Sequence, residues 1–430
     1  MKQRTVILGA GFAGIQTALE LEPVLGGNPQ HEIVLVNDTN FFLFTPLLPE
    51  IASSYINPRH IVQPIRDIRG RRNFEFRRDD VRSIDVAARR VMLAGGPLEY
   101  TALVVALGSE AEYFGVPGAR EFTFDYKTLE QAVVLRDHVI DCCEHAEHVA
   151  DAATRARLVT FVVVGGGYTG VEIASELQDF LFGYVVSRYR RLPRSEIRLV
   201  VLEAAPEILR GVHPSLAGHA AKYMRKEGIE LRTGARVTRC LAAGVEINGA
   251  ETIHSETVIW ASGVRAHRLV ASLPGPHDRI GRCVVNEFLQ LEGHPEVFIA
   301  GDSSAATTAL DAPRVAPVAI QHGKIAAKNI AAIAAGGGAA ASYKYEPMGM
   351  LVSLGMNYAV VDLGGLKFSG YFAWLFWNAV HLFKLVGFKK QIQVALDWML
   401  ASVFPRDASI VRRPRNCKFC DPPQAASHHQ

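Results

Sequence analysis

The chain has 430 residues, of which 49% are hydrophobic and 21% are charged, and its formal net charge is +3. This length exceeds the size at which a single hydrophobic core usually stops growing, so we expect a folded protein of two or three domains. The small net charge, together with the lack of a repeat of basic and aromatic residues, argues against a nucleic-acid-binding protein.

The first predicted unit has the order strand, helix, strand. An apolar run at 4–9 and the segment EIVLV at 32–36 predict strands, and residues 12–22 have helical spacing. Residues 1–38 therefore form a βαβ unit, in which the helix crosses between two parallel strands.

The motif Gly9-x-Gly11-x-x-Gly14 joins this first strand to the helix. In such a loop the first glycine allows a tight turn, the second lets backbone N–H groups approach a pyrophosphate, and the third lets helix and strand pack closely. An acid that binds a ribose hydroxyl is expected at the end of the second strand, but Asn37 stands there, and its amide can still form that bond. The motif predicts a dinucleotide site.

Because this motif lies at the N-terminus, we expect no signal or transit peptide, and we expect a cytosolic protein.

A second unit of the same design follows in the chain. Its predicted elements are a strand at 158–164, a helix at 168–182 and a strand at 197–203. The motif Gly165-x-Gly167-x-x-Gly170 joins the strand to the helix. Each unit is followed later by a buried strand that ends in glycine, ALVVALGS at 102–109 and TVIWASG at 257–263. This is an internal duplication of design rather than of exact sequence.

The remaining segments before the tail are an arginine-rich stretch, two helices and one strand. We expect a solvated β region at 66–90, an amphipathic helix at 126–148, a short strand in VFIAGD at 297–302, and a helix at about 317–335. Asp302 directly follows a buried strand and a glycine, so its carboxylate can accept hydrogen bonds from a ribityl chain or from water at a pyrophosphate.

Residues 371–404 are aromatic and apolar but are interrupted by lysines. The first apolar stretch is shorter than the roughly 20 residues that a membrane-spanning helix needs. The tryptophans Trp374, Trp377 and Trp398 among apolar residues favour amphipathic helices that lie in the headgroup plane of a membrane. The alternative is a helical hairpin buried against the body of the protein or against a dimer partner.

The six cysteines are Cys142, Cys143, Cys240, Cys283, Cys417 and Cys420. Their scatter through a large chain predicts reduced thiols rather than a disulfide framework. The pair Cys417-x-x-Cys420 is interpreted as two incidental surface thiols, half a metal site or a redox pair. No second CxxC completes a zinc site, and we predict no metal site.

Several motifs together resemble one family. ILGAGFAG, ALGS, VVVGGGYTGVE, ASGV and IAGD, in this order, resemble the two-dinucleotide-binding-domain flavoproteins. More narrowly, FLFTPLLPEIA (42–52), VIWASGVRA (258–266), PVAIQHGKIAAKNI (317–330) and AWLFW…LDWMLASVFPRD (373–407) look like the type II NADH:quinone oxidoreductases, which are single-subunit, non-pumping enzymes. The resemblance extends to about Val411.

The resemblance implies an α/β fold with two Rossmann-type domains and a C-terminal helical region that associates with membranes. The expected domains are an FAD-binding domain at 1–115 and 266–340, an NADH-binding domain at 116–265, and a C-terminal region at 341–430 with membrane-docking helices at about 371–404. It further implies a peripheral protein on the cytoplasmic face of the inner (cell) membrane, a quinone as substrate and a possible homodimer.

The resemblance also implies the residues that bind the two dinucleotides. For FAD they are Gly9, Gly11, Phe12, Ala13, Gly14, Asn37, Val81, Gly108, Gly301 and Asp302. For NADH they are Gly165, Gly167, Tyr168, Gly170, Glu203, Ser262 and Gly263. A carboxylate at Glu203 repels a 2′-phosphate, so we expect NADH to be preferred to NADPH.

Three residues are candidates for the reaction itself. Glu172 matches the family's acid near the nicotinamide and flavin, although a carboxylate in a helix first turn is also favoured by the helix dipole. Gln321 can offer its amide to a quinone carbonyl, and His322 either relays a proton or packs the helix that carries it. Pro317 replaces a glutamine of the family pattern, which leaves the quinone type open.

Three different functions also fit two dinucleotide-binding units. The first is that of a sulfide:quinone oxidoreductase, but this class and the disulfide reductases carry thiols beside the flavin, and the segment DTNFFLFTPLLPE has none. The second is that of a reductase for an iron–sulfur protein. The third is that of a signalling flavoprotein that binds NADH.

Overall fold

The computed structural model describes residues 2–339 and 341–410, so Cys417 and Cys420 lie outside the described residues. The chain groups into two compact units. The first unit comprises Met1–Leu43, Val62–Glu110 and Val264–Met348. The second unit comprises Phe44–Ile61, Ala111–Gly263 and Gly349–Gln430.

The first unit is built on an eight-stranded sheet whose central strands are parallel. In spatial order its strands are Ser304–Ala306, Cys283–Val285, Gln290–Leu291, His294–Ile299, Ala102–Val105, Gln3–Leu8, His31–Asn37 and Glu75–Arg78. The central strand is apolar on both faces because helices and loops cover both sides of a parallel sheet, and Val6, Ile7 and Leu8 are fully buried.

The helix Phe12–Leu21, here called the first loop helix, follows the central strand. It packs against the helix Ala316–Ala334 at close range, since a Cβ built on Gly323 would lie 2.5 Å from the carbonyl oxygen of Ala13. The other elements of this unit are the helices Glu22–Gly26 (π), Ile65–Arg69 and Gly301–Ser303 (3₁₀) and the strands Phe41–Leu43, Val62–Pro64, Val81–Asp85, Arg90–Leu93, Gly96–Glu99, Ser109–Ala111 (whose last residue belongs to the second unit) and Val264–Ala266.

The second unit repeats this design on a smaller scale. Its five-stranded parallel sheet has the order Phe124–Asp125, Thr257–Trp260, Thr160–Val164, Arg198–Glu203 and Glu230–Thr233. The helix Tyr168–Gln178, here called the second loop helix, follows the central strand and continues as a π-helix over Asp179–Val185.

The rest of the second unit consists of helices and two small antiparallel sheets. The helices are Thr45–Leu47 (3₁₀), Pro49–Ala52, Ala119–Phe122, Leu129–His148, Ala152–Leu158, Val186–Arg188, Pro214–Lys226, Tyr371–Lys384 and Phe388–Val403. The sheets are Val237–Leu241 with Gly244–Ile247 and Glu251–His254, and Met350–Ser353 with Ala359–Asp362 and Lys367–Gly370.

Most predicted elements are present within a few residues of their predicted bounds. The predicted helix at 126–148 begins at Leu129, where Thr128 and Gln131 form a capping box that satisfies backbone N–H groups of the first turn. The arginine-rich region was expected to be β throughout, but it begins with the helix Ile65–Arg69. Ile65 and Ile68 are three residues apart and both buried, which stabilises a helical turn among polar neighbours.

The last two helices, here called the first tail helix (Tyr371–Lys384) and the second tail helix (Phe388–Val403), match the predicted amphipathic region. Among residues 2–339 and 341–410, no helix combines the length and the apolar character that crossing a membrane requires. Two of the three tryptophans in these helices interact with the protein itself. Trp377 is 2% exposed, and the indole N–H of Trp398 donates to Glu50 Oε2 at 2.7 Å.

Of the six cysteines, the four within the described residues are buried free thiols. Burial also raises the pKa of the Cys143, Cys240 and Cys283 thiols, which keeps them protonated and unreactive at neutral pH.

Candidate active site

The first glycine loop (residues 9–14) is shaped by two glycines that have no room for a side chain. Gly9 has φ +94°, and a Cβ there would lie 2.3 Å from the Ala106 carbonyl oxygen. A Cβ on Gly14 would lie 1.8 Å from the Gly9 carbonyl oxygen. Gly11 is different, because a Cβ there would meet no protein atom within 4 Å. The open side of Gly11 is therefore space into which a ligand's phosphates fit.

The second glycine loop (residues 165–170) has the same geometry. Gly165 has φ +111°, and its added Cβ would lie 2.6 Å from the Ala261 carbonyl oxygen. A Cβ on Gly170 would lie 1.9 Å from the Gly165 carbonyl oxygen, and one on Gly167 would meet nothing within 4 Å. Neither loop helix has a side-chain cap, so the first backbone N–H groups of both are available to an anion. Both cradles fit the pyrophosphate of a dinucleotide.

A polar side chain closes each loop from the tip of the next strand. In the first unit, Asn37 Oδ1 accepts a hydrogen bond from the Ala10 N–H at 2.8 Å, and Asn37 Nδ2 donates to Thr39. In the second unit, Glu203 Oε2 accepts from the Gly166 N–H at 2.7 Å, and its Oε1 accepts from the Ala205 N–H at 2.7 Å. Both side chains are thus fixed beside a glycine loop, but only Glu203 brings a negative charge.

The segment that follows strand His294–Ile299 places Asp302 in the first unit. Gly301 has φ +68°, which suits the sharp turn after the strand. Asp302 Oδ2 accepts a hydrogen bond from Ser109 Oγ at 2.7 Å, and the Ser303 hydroxyl donates to the Gly108 carbonyl at 3.1 Å. Gly108 and Asp302, which the sequence places far apart, are therefore neighbours.

His322 is buried beside this turn with 3% of its surface exposed. Its Nδ1 accepts from the Gly301 N–H at 3.1 Å, and its ring meets the Tyr343 ring edge-on at 4.4 Å between centroids. Burial, with a smaller effect of Arg282, lowers the pKa of His322 to about 4, so the imidazole is neutral at pH 7. Its Nε2 is buried without a hydrogen-bond partner among the described residues.

The amide of Gln321 is already occupied within the first unit. Gln321 Nε2 donates to the Glu346 carbonyl at 2.8 Å, and Gln321 Oε1 accepts from the Glu346 N–H at 3.2 Å. A quinone carbonyl that binds this amide must therefore replace a backbone hydrogen bond.

Glu172 lies on the second loop helix and is partly buried. Its Oε1 accepts from the Ser353 N–H at 3.2 Å. Burial raises the pKa of Glu172 to about 8, opposed by this hydrogen bond and increased by the charge of Glu176. The carboxyl is thus mostly protonated at pH 7 and can donate a proton as well as accept one.

Comparisons with known proteins agree with this geometry. A family described as pyridine nucleotide-disulphide oxidoreductase matches residues 3–323, and the NDH2 C-terminal domain matches residues 348–407. The type II NADH:quinone oxidoreductase Ndh of Mycobacterium tuberculosis is 33% identical over 94% of this chain and 89% of its own. The chain belongs to the type II NADH:quinone oxidoreductases.

Two solved structures share the fold of this type II NADH:quinone oxidoreductase. NDH2 from Plasmodium falciparum, solved in complex with NADH, has a TM-score of 0.86 at 17% identity and covers 95% of this chain and 100% of its own. The sulfide:quinone oxidoreductase of Aquifex aeolicus has a TM-score of 0.71 at 19% identity and covers 94% of this chain and 96% of its own.

Three other residues predicted to bind the dinucleotides, Phe12, Val81 and Tyr168, make contacts within their own unit. In the first unit, Phe12 packs edge-on against Phe42 at 5.0 Å between ring centroids, and Val81 packs against the apolar core. In the second unit, the Tyr168 hydroxyl donates to Met350 Sδ.

The predicted turn at Ser262 and Gly263 is also crowded. The Ser262 Cα would be 2.7 Å from a Cβ on Gly165, and a Cβ on Gly263 would lie 2.5 Å from the Phe114 ring. This turn therefore leaves no space for a larger residue in the second glycine loop.

A cluster of buried ionisable groups in the second unit was not predicted from the sequence. Glu50 and Glu176 are 4% and 3% exposed, and Arg406 is 9% exposed. Glu172, Glu176 and Asp179 follow one another at spacings of four and three residues, which places them on one face of a helix. That spacing is the sequence signal that was available, because carboxylates seldom repeat on the apolar face of a helix.

Proposed function

We propose that this type II NADH:quinone oxidoreductase oxidises NADH and reduces a membrane quinone to the quinol, with FAD as its bound cofactor and without pumping protons. The observation that carries this proposal is the pair of glycine loops, each with two glycines that the fold requires and one that faces open space. Such a pair suits a resident dinucleotide and a second, exchanging one.

Bound FAD supplies the two-electron relay between NADH and quinone. The first unit holds its pyrophosphate with the N–H groups of the first loop helix and with the open side of Gly11. Asp302, oriented by the Ser109 hydroxyl, accepts hydrogen bonds from the ribityl and phosphate region. The neutral His322 orients Gly301, and its unpartnered Nε2 offers one more donor.

The second loop binds NADH through Gly165, Gly167 and Gly170, and Glu203 selects it over NADPH. Glu203 is held by two backbone N–H groups, so its carboxylate cannot turn away from a bound ribose without losing both hydrogen bonds. A 2′-phosphate at this place would meet a fixed negative charge.

Glu172, Gln321 and His322 are the residues that we assign to the reaction. The overall change, NADH plus quinone plus one proton giving NAD⁺ plus quinol, consumes one proton, and Glu172, with its pKa raised to about 8, is suited to supply it at neutral pH. Gln321 exchanges its hydrogen bonds with Glu346 for one with the quinone carbonyl. His322 is neutral and acts as a hydrogen-bond donor rather than as a proton carrier.

The tail helices dock the enzyme on the cytoplasmic face of the inner membrane as a peripheral protein. Their apolar side chains are strongly exposed, including Phe372 at 78%, Phe383 at 81%, Phe388 at 76% and Val403 at 74%. Lys384 ends the first tail helix, Lys389 and Lys390 lie in the first turn of the second, and their charges suit anionic headgroups. The same apolar surface can also serve a homodimer.

A direct test uses the purified protein. It should be yellow, lose its visible flavin absorbance on addition of NADH, and oxidise NADH with a soluble quinone much faster than NADPH. Reduction by sulfide but not by NADH would instead indicate a sulfide:quinone oxidoreductase. A chain truncated after Ser369 should leave the membrane fraction, and unchanged membrane association would exclude docking by the tail helices.

A further inference from the structure

Arg406 lies on the segment that follows the second tail helix and is buried although it carries a positive charge. Its Nη1 donates to the Ser53 carbonyl at 3.0 Å, and its guanidinium stacks over the Tyr55 ring at 5.0 Å from the centroid. A buried guanidinium persists only where neighbouring negative charge and hydrogen bonds compensate its lost hydration.

Two buried carboxyl groups belong to the same cluster, and Ser53 connects one of them to this guanidinium. Glu176 Oε2 accepts from the Ser53 hydroxyl at 2.6 Å, and Glu50 Oε2 accepts from the Trp398 indole at 2.7 Å. Burial, and then the charge of Glu176, raises the pKa of Glu50 well above its usual range. Burial also raises the pKa of Glu176, but Arg406 and the Ser53 hydroxyl oppose that rise. The Arg406 guanidinium and the Ser53 hydroxyl therefore favour the ionised form of Glu176 against the effect of burial.

The charge of Glu176 acts on Glu172. The two residues are four positions apart on the second loop helix and so lie on the same face. A negative Glu176 raises the pKa of Glu172 in addition to the effect of burial. Burial is the largest cause of the raised pKa of Glu172, and the charge of Glu176, which Arg406 favours, adds to it.

Three further titratable groups lie around this cluster, namely Asp179, Tyr55 and Tyr126. Burial, and then Glu176, raises the pKa of Asp179 to about 7, while Arg406 lowers it and Glu227 raises it. Burial raises the pKa of Tyr55 and of Tyr126, so both phenols are neutral. The Tyr55 hydroxyl is buried without a hydrogen-bond partner among the described residues.

We propose that Arg406 is a positioning residue that, through Ser53, favours the ionised form of Glu176 and thereby raises the proton occupancy of Glu172. The inference rests on the proposed function in that Glu172 takes part in turnover. It connects the end of the second tail helix to the second loop helix through Ser53 and Glu176, all within the second unit.

The direction of the effect follows from the signs of these interactions. When the charge of Arg406 is removed, Glu176 takes up a proton more readily. Glu172 then loses a negative neighbour, so its pKa falls from about 8 and it loses its proton at lower pH. Replacing Glu176 by an amide has the same consequence for Glu172.

The primary experiment is an infrared pH titration of the FAD-loaded enzyme, which follows the C=O band of protonated carboxyl groups. The difference between the C=O bands of the wild-type protein and of Glu172→Gln gives the contribution of Glu172. Its titration midpoint should fall by about one pH unit in Arg406→Gln and in Glu176→Gln. Arg406→Lys, which keeps the charge, and Arg198→Gln, which removes an exposed arginine paired with Glu230, should keep the wild-type midpoint.

A second readout is the pH profile of kcat with NADH and quinone. The limb that Glu172→Gln abolishes should move to lower pH in the same two variants, with little change in the KM for NADH. Glu176→Gln is isosteric and keeps the test valid if Arg406→Gln folds poorly. Unchanged midpoints in both variants of an enzyme that turns over normally would overturn the inference, whereas a wild-type protein that does not reduce quinone would overturn the proposed function instead.

Discussion

The first and second glycine loops have the same backbone geometry and different surroundings. In both, the first and third glycines are required by carbonyl oxygens within 2.6 Å of an added Cβ, and the second faces open space. In both, a side chain at the tip of the next strand binds a backbone N–H of the loop. That side chain is the neutral Asn37 in the first unit and the charged Glu203 in the second.

The two loop helices also differ in the side chains at two equivalent positions. Gln16 and Glu20 stand two and six residues after the last glycine of the first loop, and they form an exposed hydrogen bond of 2.8 Å. Glu172 and Glu176 stand at the same two positions after the second loop, where burial raises the pKa of both. We propose that the shared backbone forms a phosphate cradle in both units, and that the differing side chains decide whether the unit only holds a dinucleotide or also takes part in proton exchange.

The largest expected effect comes from breaking each loop at its third glycine. In Gly14→Ala and Gly170→Ala the new Cβ would lie 1.8 Å and 1.9 Å from a backbone carbonyl oxygen, so strand and helix must separate. Gly14→Ala should be purified without flavin absorbance. Gly170→Ala should remain yellow but should no longer be bleached by NADH.

Two glycines with open surroundings provide matched controls for these variants. A Cβ on Gly27 or on Gly183 would meet no atom within 4 Å, and neither residue requires positive φ. Gly27→Ala and Gly183→Ala should therefore keep both the flavin spectrum and its bleaching. If Gly14→Ala retained FAD at normal occupancy, the first loop would not be the FAD site.

The second prediction concerns Glu172, the partly buried acid of the second loop helix, whose counterpart in the first loop helix is Gln16. Glu172→Gln should lower kcat by about 100-fold, the range in which a positioned acid or base contributes. Because the pKa of Glu172 is raised to about 8, the wild-type enzyme holds this proton below that pH and loses it above. The variant should lack the corresponding limb of the pH profile.

Gln16→Ala, at the equivalent position of the first loop helix, serves as the control for Glu172→Gln. It should keep the wild-type kcat and pH profile. A Glu172→Gln enzyme with wild-type kcat at every pH would show that Glu172 has a structural role only.

The glycine loops could be predicted from the sequence because their geometry is local. Motif spacing between an apolar strand and a helix is sufficient to identify Gly9, Gly11 and Gly14, since the clashes that require glycine involve nearby backbone atoms. The same holds for Glu203, which ends a predicted strand.

The buried cluster could not be predicted because it is assembled from distant parts of the chain. Glu50, Glu176 and Arg406 are separated by more than a hundred residues from one to the next, and only the fold brings them together. The two hydrogen bonds of the Gln321 amide could not be predicted either, because both go to backbone atoms of Glu346 and a backbone partner does not depend on residue type. The bond from the Trp398 N–H to Glu50 also joins residues that are distant in the sequence.

The third prediction sharpens the contrast between the two strand tips. Glu203→Gln removes the negative charge and can keep only one of the two bonds from the Gly166 and Ala205 N–H groups, because an amide has a single acceptor oxygen. The preference for NADH over NADPH, measured as the ratio of kcat/KM values, should fall by about tenfold, which corresponds to about 1.4 kcal/mol. An unchanged ratio would mean that Glu203 supports only the loop and does not select the nucleotide. The flavin content should not change.

The smallest effect is expected at the neutral strand tip of the first unit. Asn37→Ala leaves the Ala10 N–H without its acceptor, and Ala10 is only 4% exposed. The loss of such a hydrogen bond costs about 1 kcal/mol, so the dissociation constant of FAD should rise about fivefold. Reconstitution of the FAD-depleted protein, followed by flavin fluorescence, measures this change, while the KM for NADH should stay constant because the second loop is untouched. A change of 100-fold or more would mean that Asn37 binds the ribose directly in addition to holding the loop, and the two strand tips would then differ in charge but not in role.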